Sequence, residues 1–210
     1  MTGANVPAER MPLVGALQVL RDARGDTDVV ITTMGSAREW MRLGDLHPLD
    51  MVLVPSSMGH GTSMGLGLAI ARPDRRVITC MGDGSMLMNL GSLVSIVAAG
   101  VENLVVIVFD NGVYEVTGLQ PTAGAAAARG GRRPVDFGEI ARASGFEAVY
   151  RLRDLDDWRR DARRLLAALG PTFIALDVEP VVGGTAPHSP GPAAERARRF
   201  MAALGAPSQE

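Results

Sequence analysis

Two short stretches of this chain combine glycine with hard oxygen ligands: Gly82-Asp83-Gly84-Ser85 and Asp110-Asn111-Gly112. The glycines flanking Asp83 permit a tight turn and close approach of a ligand to the backbone. The turn opens a helix, whose free N–H groups favour a phosphate. The Asp83 carboxylate is a ligand for Mg²⁺, which bridges to phosphate oxygens. By itself such a motif is also what an ordinary turn looks like. Asn111 adds the side-chain carbonyl of an amide at a strand end. One helix and one strand separate the two motifs and return the chain to the same edge of a sheet, so Asp83 and Asn111 can converge on one ion.

These residues need a frame, and hydrophobic periodicity supplies it. Leu13, Leu17 and Leu20 stand at helical spacing. Apolar runs predict strands at 29–33, 51–54, 76–81, 104–109, 146–152 and 172–178. Helices are predicted at 37–43, from 61 to near Arg72-Pro73, at 85–99 closed by Gly100, and at 136–144, 154–169 and 193–204. The Gly-, Ala- and Arg-rich stretch 117–134 has no periodicity and reads as a long loop, expected to be mobile and to order over substrate. Alternating strands and helices predict an α/β fold, a single doubly wound parallel sheet with helices on both faces. The expected domain is 10–204, with tails at 1–9 and 205–210. Gly35-Ser36, 56–60, 82–85 and 110–113 all follow strands and should share one sheet edge.

Of the 210 residues 47% are hydrophobic, but only two are Trp, two Tyr and five Phe, so the core is aliphatic. The net charge of −2 offers no basic excess to draw nucleic acid or an anionic membrane, and neither is an expected partner. Arginines cluster at 129–133, 159–164 and 196–199, which read as solvated helix faces and a loop. The lone Cys80 sits in an apolar run, excludes an internal disulfide and reads as a buried structural thiol. His47 and His188 read as surface loop residues. Residues 1–11 lack the apolar stretch of a signal peptide, and no run reaches membrane-spanning length, so a cytoplasmic location is expected.

The Gly-Asp-Gly turn, the helix and strand after it, and Asn111 resemble the motif of thiamine diphosphate (ThDP) dependent enzymes. The match runs from Gly82-Asp83-Gly84-Ser85-Met86-Leu87-Met88-Asn89 through Val106-Ile107-Val108-Phe109-Asp110-Asn111. The resemblance implies that Mg²⁺ is held by Asp83, Asn111 and the Val113 carbonyl, and that Ser85 contacts the diphosphate. Gly35-Ser36 resembles the first phosphate-contacting loop. Ser57-Met58-Gly59 resembles the segment that supports a bent cofactor, which implies that Met58 wedges between its two rings and that the Ser56 carbonyl accepts a hydrogen bond from its aminopyrimidine. Plain core packing is the other reading of Met58.

Ser57-Met58-Gly59-His60, Gly84-Ser85-Met86-Leu87-Met88-Asn89-Leu90-Gly91, Asp110-Asn111-Gly112-Val113-Tyr114-Glu115 and Thr117-Gly118 resemble the small subunit of phosphonopyruvate and sulfopyruvate decarboxylases. The likeness departs after Gly118, where Leu119 stands in place of a second glycine. It implies non-oxidative decarboxylation of a small 2-oxo acid. It also implies a second subunit, carrying the pyrimidine-binding domain and its activating glutamate, in a hetero-oligomer. Apolar residues around Met58, Met64, Met86 and Met88 would then partly face that partner. His60, in a loop beside the cofactor, is an acid–base candidate, or a structural hydrogen-bonding group. Glu115 is a candidate to touch substrate, or a helix-start residue. Carboligation of the acetolactate synthase kind, ketol transfer and a non-catalytic regulatory subunit are the alternatives. A dinucleotide-binding oxidoreductase fits less well, because the glycines from Gly61 to Gly67 do not follow the first strand.

Overall fold

The computed structural model describes residues 10–53, 57–125, 132–183 and 189–205. In chain order the elements are β1 (Met11–Pro12), α1 (Leu13–Ala23), β2 (Val29–Thr33), α2 (Met34–Arg42), β3 (Asp50–Leu53), α3 (Gly61–Ala71), β4 (Val77–Gly82), α4 (Asp83–Leu87) and α5 (Gly91–Ala98). There follow β5 (Leu104–Asp110), β6 (Val113–Tyr114), β7 (Gln120–Pro121), α6 (Phe137–Ala143), β8 (Ala148–Leu152), α7 (Leu155–Leu166), β9 (Thr172–Glu179) and α8 (Ala193–Leu204). Of the expected tails at 1–9 and 205–210, residues 1–9 and 206–210 lie outside the described residues.

Seven strands form one parallel sheet in the order β1-β9-β5-β4-β2-β3, with β8 beside β9. Strand residues alternate between its faces, as the period of two requires. Val105, Ile107 and Phe109 of β5 join Leu17 and Leu20 of α1, Trp40 of α2 and Trp158 of α7 in one core layer. Leu104, Val106 and Val108 join Met86, Leu93, Phe137 and Phe200 in the other. Both faces are therefore covered, and the strands are nearly continuous apolar runs. The Trp158 indole N–H, buried in the first layer, donates to the Ala16 carbonyl at 3.0 Å and locks α7 onto α1. The Asp154 side chain starts α7 by accepting the Asp156 and Asp157 amides, each at 2.9 Å. Cys80 is fully buried in β4, and burial raises its thiol pKa far above the ordinary value. Among the described residues no helix is long and apolar enough to cross a membrane.

The strand order places the candidate loops. From β2 the chain moves outward to β3 and then returns to the other side of β2 to form β4, and β5 follows outward from there. The reversal between β2 and β4 is a topological switch point, where a crevice opens beyond the carboxyl ends of the strands.

Two expectations need correction, and strand β1 was not foreseen. The helix read at 85–99 is two helices, α4 and α5, because Asn89 turns the chain between them. Its backbone N–H bonds only three residues back, to Met86, and its side chain reaches out to the Gly59 carbonyl and Ser63. The stretch 117–134 is not structureless where it is described. Residues Val113–Tyr114 and Gln120–Pro121 pair as an antiparallel hairpin, closed by Gly118 and Leu119 at positive φ. Strand β1 is two residues long, too short to show a period.

Candidate functional site

Strands β2, β4 and β5 deliver their following residues to a cavity of about 130 Å³. It is lined by Gly35 and Ser36 from α2, Met58, Gly82 to Ser85, Asn111, and Val113 to Glu115 with the start of the next turn. All four loops expected at one sheet edge thus contribute to it. Ser56 lies outside the described residues. A larger cavity of about 530 Å³ lies between β3 and α8, lined by His47, Met51, Arg196 and Phe200 among others, and contains none of the candidate site residues. The smaller one carries the convergent polar groups.

Asp83, the first residue of α4, is 2% exposed. The Thr122 hydroxyl donates to its Oδ2 at 2.8 Å. Burial, and next the carboxylate of Asp110, push the Asp83 pKa up to about 6. No ion pair to Asp83 occurs among the described residues. A buried carboxylate held by a hydroxyl, with a second carboxylate nearby, is short of positive charge, so its chemistry fits a divalent cation.

Asn111 ends the neighbouring strand. Its Nδ2 donates to Glu115 Oε1 at 2.8 Å, and its Oδ1 accepts the Val113 amide at 2.9 Å. That leaves Oδ1 with a second lone pair. In the hairpin, Gly112 O accepts the Thr122 amide at 2.9 Å, so the next pair, Val113 and Pro121, is a non-hydrogen-bonded one. The N–H and carbonyl of Val113 therefore both turn away from β7, toward the side where the Asn111 amide lies. Asp83, Asn111 and the Val113 carbonyl form a set of hard oxygen donors on a shared cavity wall.

The remaining loops are held by hydrogen bonds from within the chain. Ser85 Oγ accepts the Gly59 amide at 2.8 Å, which keeps its own proton free to donate. Ser36 Oγ donates to the Thr33 carbonyl at 2.7 Å and lies 3.1 Å from that of Cys80, so its hydroxyl proton is committed to strand ends. Only the backbone of this loop is then left to meet an anion. A side chain at Gly35 would start 2.8 Å from Glu115 Oε2, and one at Gly84 would start 2.3 Å from the Tyr114 ring. Only glycine lets these segments close. Met34, Ser57 and Leu119 adopt positive φ, and all three stand in segments that border the cavity. Strained non-glycine backbone of this kind concentrates at functional sites.

Met58 is half-buried and lines the cavity. His60 is exposed, with its Nδ1 2.9 Å from the Met58 carbonyl. The Glu115 side chain is 5% exposed and spends both oxygens inside the protein. It accepts from Asn111 Nδ2, from the Val181 amide at 2.9 Å and from Arg38 at 3.2 Å. Arg38 is itself buried and paired with Glu39 at 2.5 Å. Met64 and Met88 are exposed, as a partner-facing surface requires, but Met86 is not: it is fully buried, because α4 turns it into the core against the sheet. Thr122, Arg38 and Asn89 were missed in the sequence. Thr122 and Arg38 carry no motif, whereas Asn89 stands inside the quoted motif and marks itself by interrupting the helical pattern.

Over residues 32–176 the chain matches the family described as thiamine pyrophosphate enzyme, C-terminal TPP binding domain. It is 37% identical over 202 residues to the phosphonopyruvate decarboxylase of Streptomyces viridochromogenes, covering 95% of this chain and 48% of that protein. It is 30% identical over 143 residues to sulfopyruvate decarboxylase subunit beta of Methanocaldococcus jannaschii, covering 68% of this chain and 70% of that subunit. The fold superposes with a TM-score of 0.66 on the thiamine diphosphate-dependent 4-hydroxybenzoylformate decarboxylase of Rhodococcus jostii RHA1, at 20% identity, covering 86% of this chain and 35% of that one. The chain spans about half the length of the curated phosphonopyruvate decarboxylases it matches.

Proposed function

This chain belongs to the thiamine pyrophosphate enzymes, as their C-terminal TPP-binding domain, and from that membership we propose that it is the cofactor-binding subunit of a ThDP- and Mg²⁺-dependent decarboxylase. The substrate is a small 2-oxo acid of the phosphonopyruvate or sulfopyruvate kind, and a partner chain completes the site. The observation that carries this reading is the convergence of Asp83, Ser85, Asn111 and Val113 on one cavity.

Asp83, Asn111 and the Val113 carbonyl hold the cation. The Ser85 hydroxyl and the backbone around Gly35 and Ser36 donate to the diphosphate. When bound, the cofactor supplies a nucleophilic carbon and an electron sink for decarboxylation. Met58, which lines the cavity, would support the cofactor's rings. His60, exposed and with its Nδ1 2.9 Å from the carbonyl of the cavity-lining Met58, is the acid–base candidate of this chain for incoming substrate.

The partner supplies the pyrimidine-binding domain and its activating glutamate. Two observations support it. A relative of which this chain covers 70% is named a subunit beta. Helices α3 and α5, joined by a Ser92 to Thr62 hydrogen bond of 2.7 Å, contain no charged residue, yet Met64, Ile70 and Val94 on them are exposed, as is Met88 just before α5. Such an apolar patch marks an interaction surface.

The test is reconstitution. The chain alone with ThDP and Mg²⁺ should release no CO₂ from 2-oxo acids, and mixing with its partner, identified by co-purification, should restore release. Robust turnover by the isolated chain would refute the split-enzyme reading. Product analysis with and without an acceptor aldehyde separates decarboxylation from ligation.

A further inference from the structure

Both proposed side-chain ligands of the cation are oriented by the same short segment of chain. Asn111 offers two unlike terminal atoms and must turn its oxygen to the cation, whereas the two oxygens of Asp83 are alike and need only be held in orientation. An Asn amide is a ligand through oxygen only. Its nitrogen must be bound elsewhere, or the group can turn over and present a donor to the metal. In this chain Nδ2 is taken by Glu115 at 2.8 Å, four residues on. Glu115 in its turn is fixed by Arg38 of α2 and by the Val181 amide beyond β9. Its Oε2 also packs where a Gly35 side chain would begin. For Asp83, the Thr122 hydroxyl donates to Oδ2 at 2.8 Å and fixes the carboxylate's orientation. Thr122 is fully buried and anchored through its amide to Gly112 O.

We propose that the hairpin from Val113 to Thr122 is a clamp that sets the ligand geometry of the cation site. Glu115 acts through the Asn111 amide and Thr122 through the Asp83 carboxylate, both as positioning residues. This inference rests on the reading of Asp83 and Asn111 as metal ligands. It gives Glu115 a role other than contact with substrate. Its carboxylate has no free oxygen to offer one, whereas its three donors tie the phosphate loop, the cation loop and the segment after β9 into one unit. Groups that orient metal ligands are worth about ten- to a hundredfold in metal affinity.

The experiment titrates Mn²⁺ into the full chain in its native assembly with saturating ThDP, following free Mn²⁺ by electron paramagnetic resonance. Thermal unfolding of the metal-free protein runs beside it. Thr122→Val, which keeps the shape and loses the donor, should weaken Mn²⁺ about ten- to a hundredfold. Thr122→Ser, which keeps the donor, should restore most of that affinity. Glu115→Gln should weaken Mn²⁺ by a similar factor, because an amide cannot accept from Asn111, Val181 and Arg38 together. If Glu115→Gln lowers the unfolding midpoint, the Thr122 pair decides. Mn²⁺ affinity unchanged in Thr122→Val, or equally weak in Thr122→Ser, would overturn the clamp while leaving the ligands in place. Unchanged affinity in Asp83→Ala would instead overturn the ligand assignment itself.

Discussion

Asp83 holds a charge in a place that disfavours charge. It is buried, faces the Asp110 carboxylate and has its pKa pushed up to about 6. A protein keeps such a group where something compensates it. Removing it should therefore damage binding and not folding. In Asp83→Ala, Mg²⁺-dependent ThDP affinity should fall by more than about a hundredfold, beyond what loss of an orienting partner costs. The unfolding midpoint of the metal-free protein should hold or rise. Asn111→Ala removes a neutral ligand and should cost less. Isothermal titration of both variants against wild type, with and without Mg²⁺, measures this, and unchanged ThDP affinity in Asp83→Ala would remove the metal from the site. At this scale the sequence was legible for the placement of Asp83 and Asn111 on one cavity, because both stand at strand ends next to glycine. Glu115 was not, since its burial depends on Arg38, 77 residues away.

The elements around the site differ in how much of them local chemistry dictates. Strands β4 and β5 and helix α7 follow from apolar runs and a capping aspartate, and each lies within a few residues of its predicted place. The hairpin β6–β7 does not. Its strands are two residues each, and its turn uses Leu119 at positive φ, which no propensity favours. Backbone bonds within and beside it hold it, and the Thr122 hydroxyl ties it to Asp83 at 2.8 Å. The Leu119 amide bonds to Tyr114 O at 2.9 Å, the Thr122 amide to Gly112 O at 2.9 Å, and the Val135 amide to Gly124 O at 3.1 Å. In hydrogen exchange on the cofactor-free chain, the amides of Thr122 and Val135 should be protected and those of the exposed turn residues Val116 and Thr117 fast. Rapid exchange at Thr122 would mean that the hairpin opens without ligand.

As a whole, the molecule buries two core layers against one sheet and leaves a third apolar surface uncovered. That surface is the outer side of α3 and α5, beside the cavity through the hydrogen bonds of Asn89 to Gly59 and Ser63. An uncharged, glycine-bearing pair of helices is a poor solvent face and a good packing face. Ile70 and Val94 are 58% and 57% exposed, so charge there should not disturb the core. The double variant Ile70→Glu, Val94→Glu should therefore sediment as a folded monomer with a near-wild-type unfolding midpoint. It should also fail to recover decarboxylation on mixing with the partner. Assembly and activity at wild-type levels would show that the partner meets the cofactor from another side.

The sequence by itself determined the α/β alternation, the parallel sheet it implies and the strand-end positions of the four loops. Those depend on apolar period and on glycine, which act over a few residues. It also carried the motif that gave the family. Only the tertiary structure decided which groups complete the hydrogen bonds of those loops. Thr122 reaches Asp83 across 39 residues, and Val181 reaches Glu115 across 66. Packing of distant segments chooses such partners, since a buried polar atom takes whatever donor the folded chain brings within reach. Met86 turned inward and Met88 outward for the same reason, because α4 ends between them and the chain turns there.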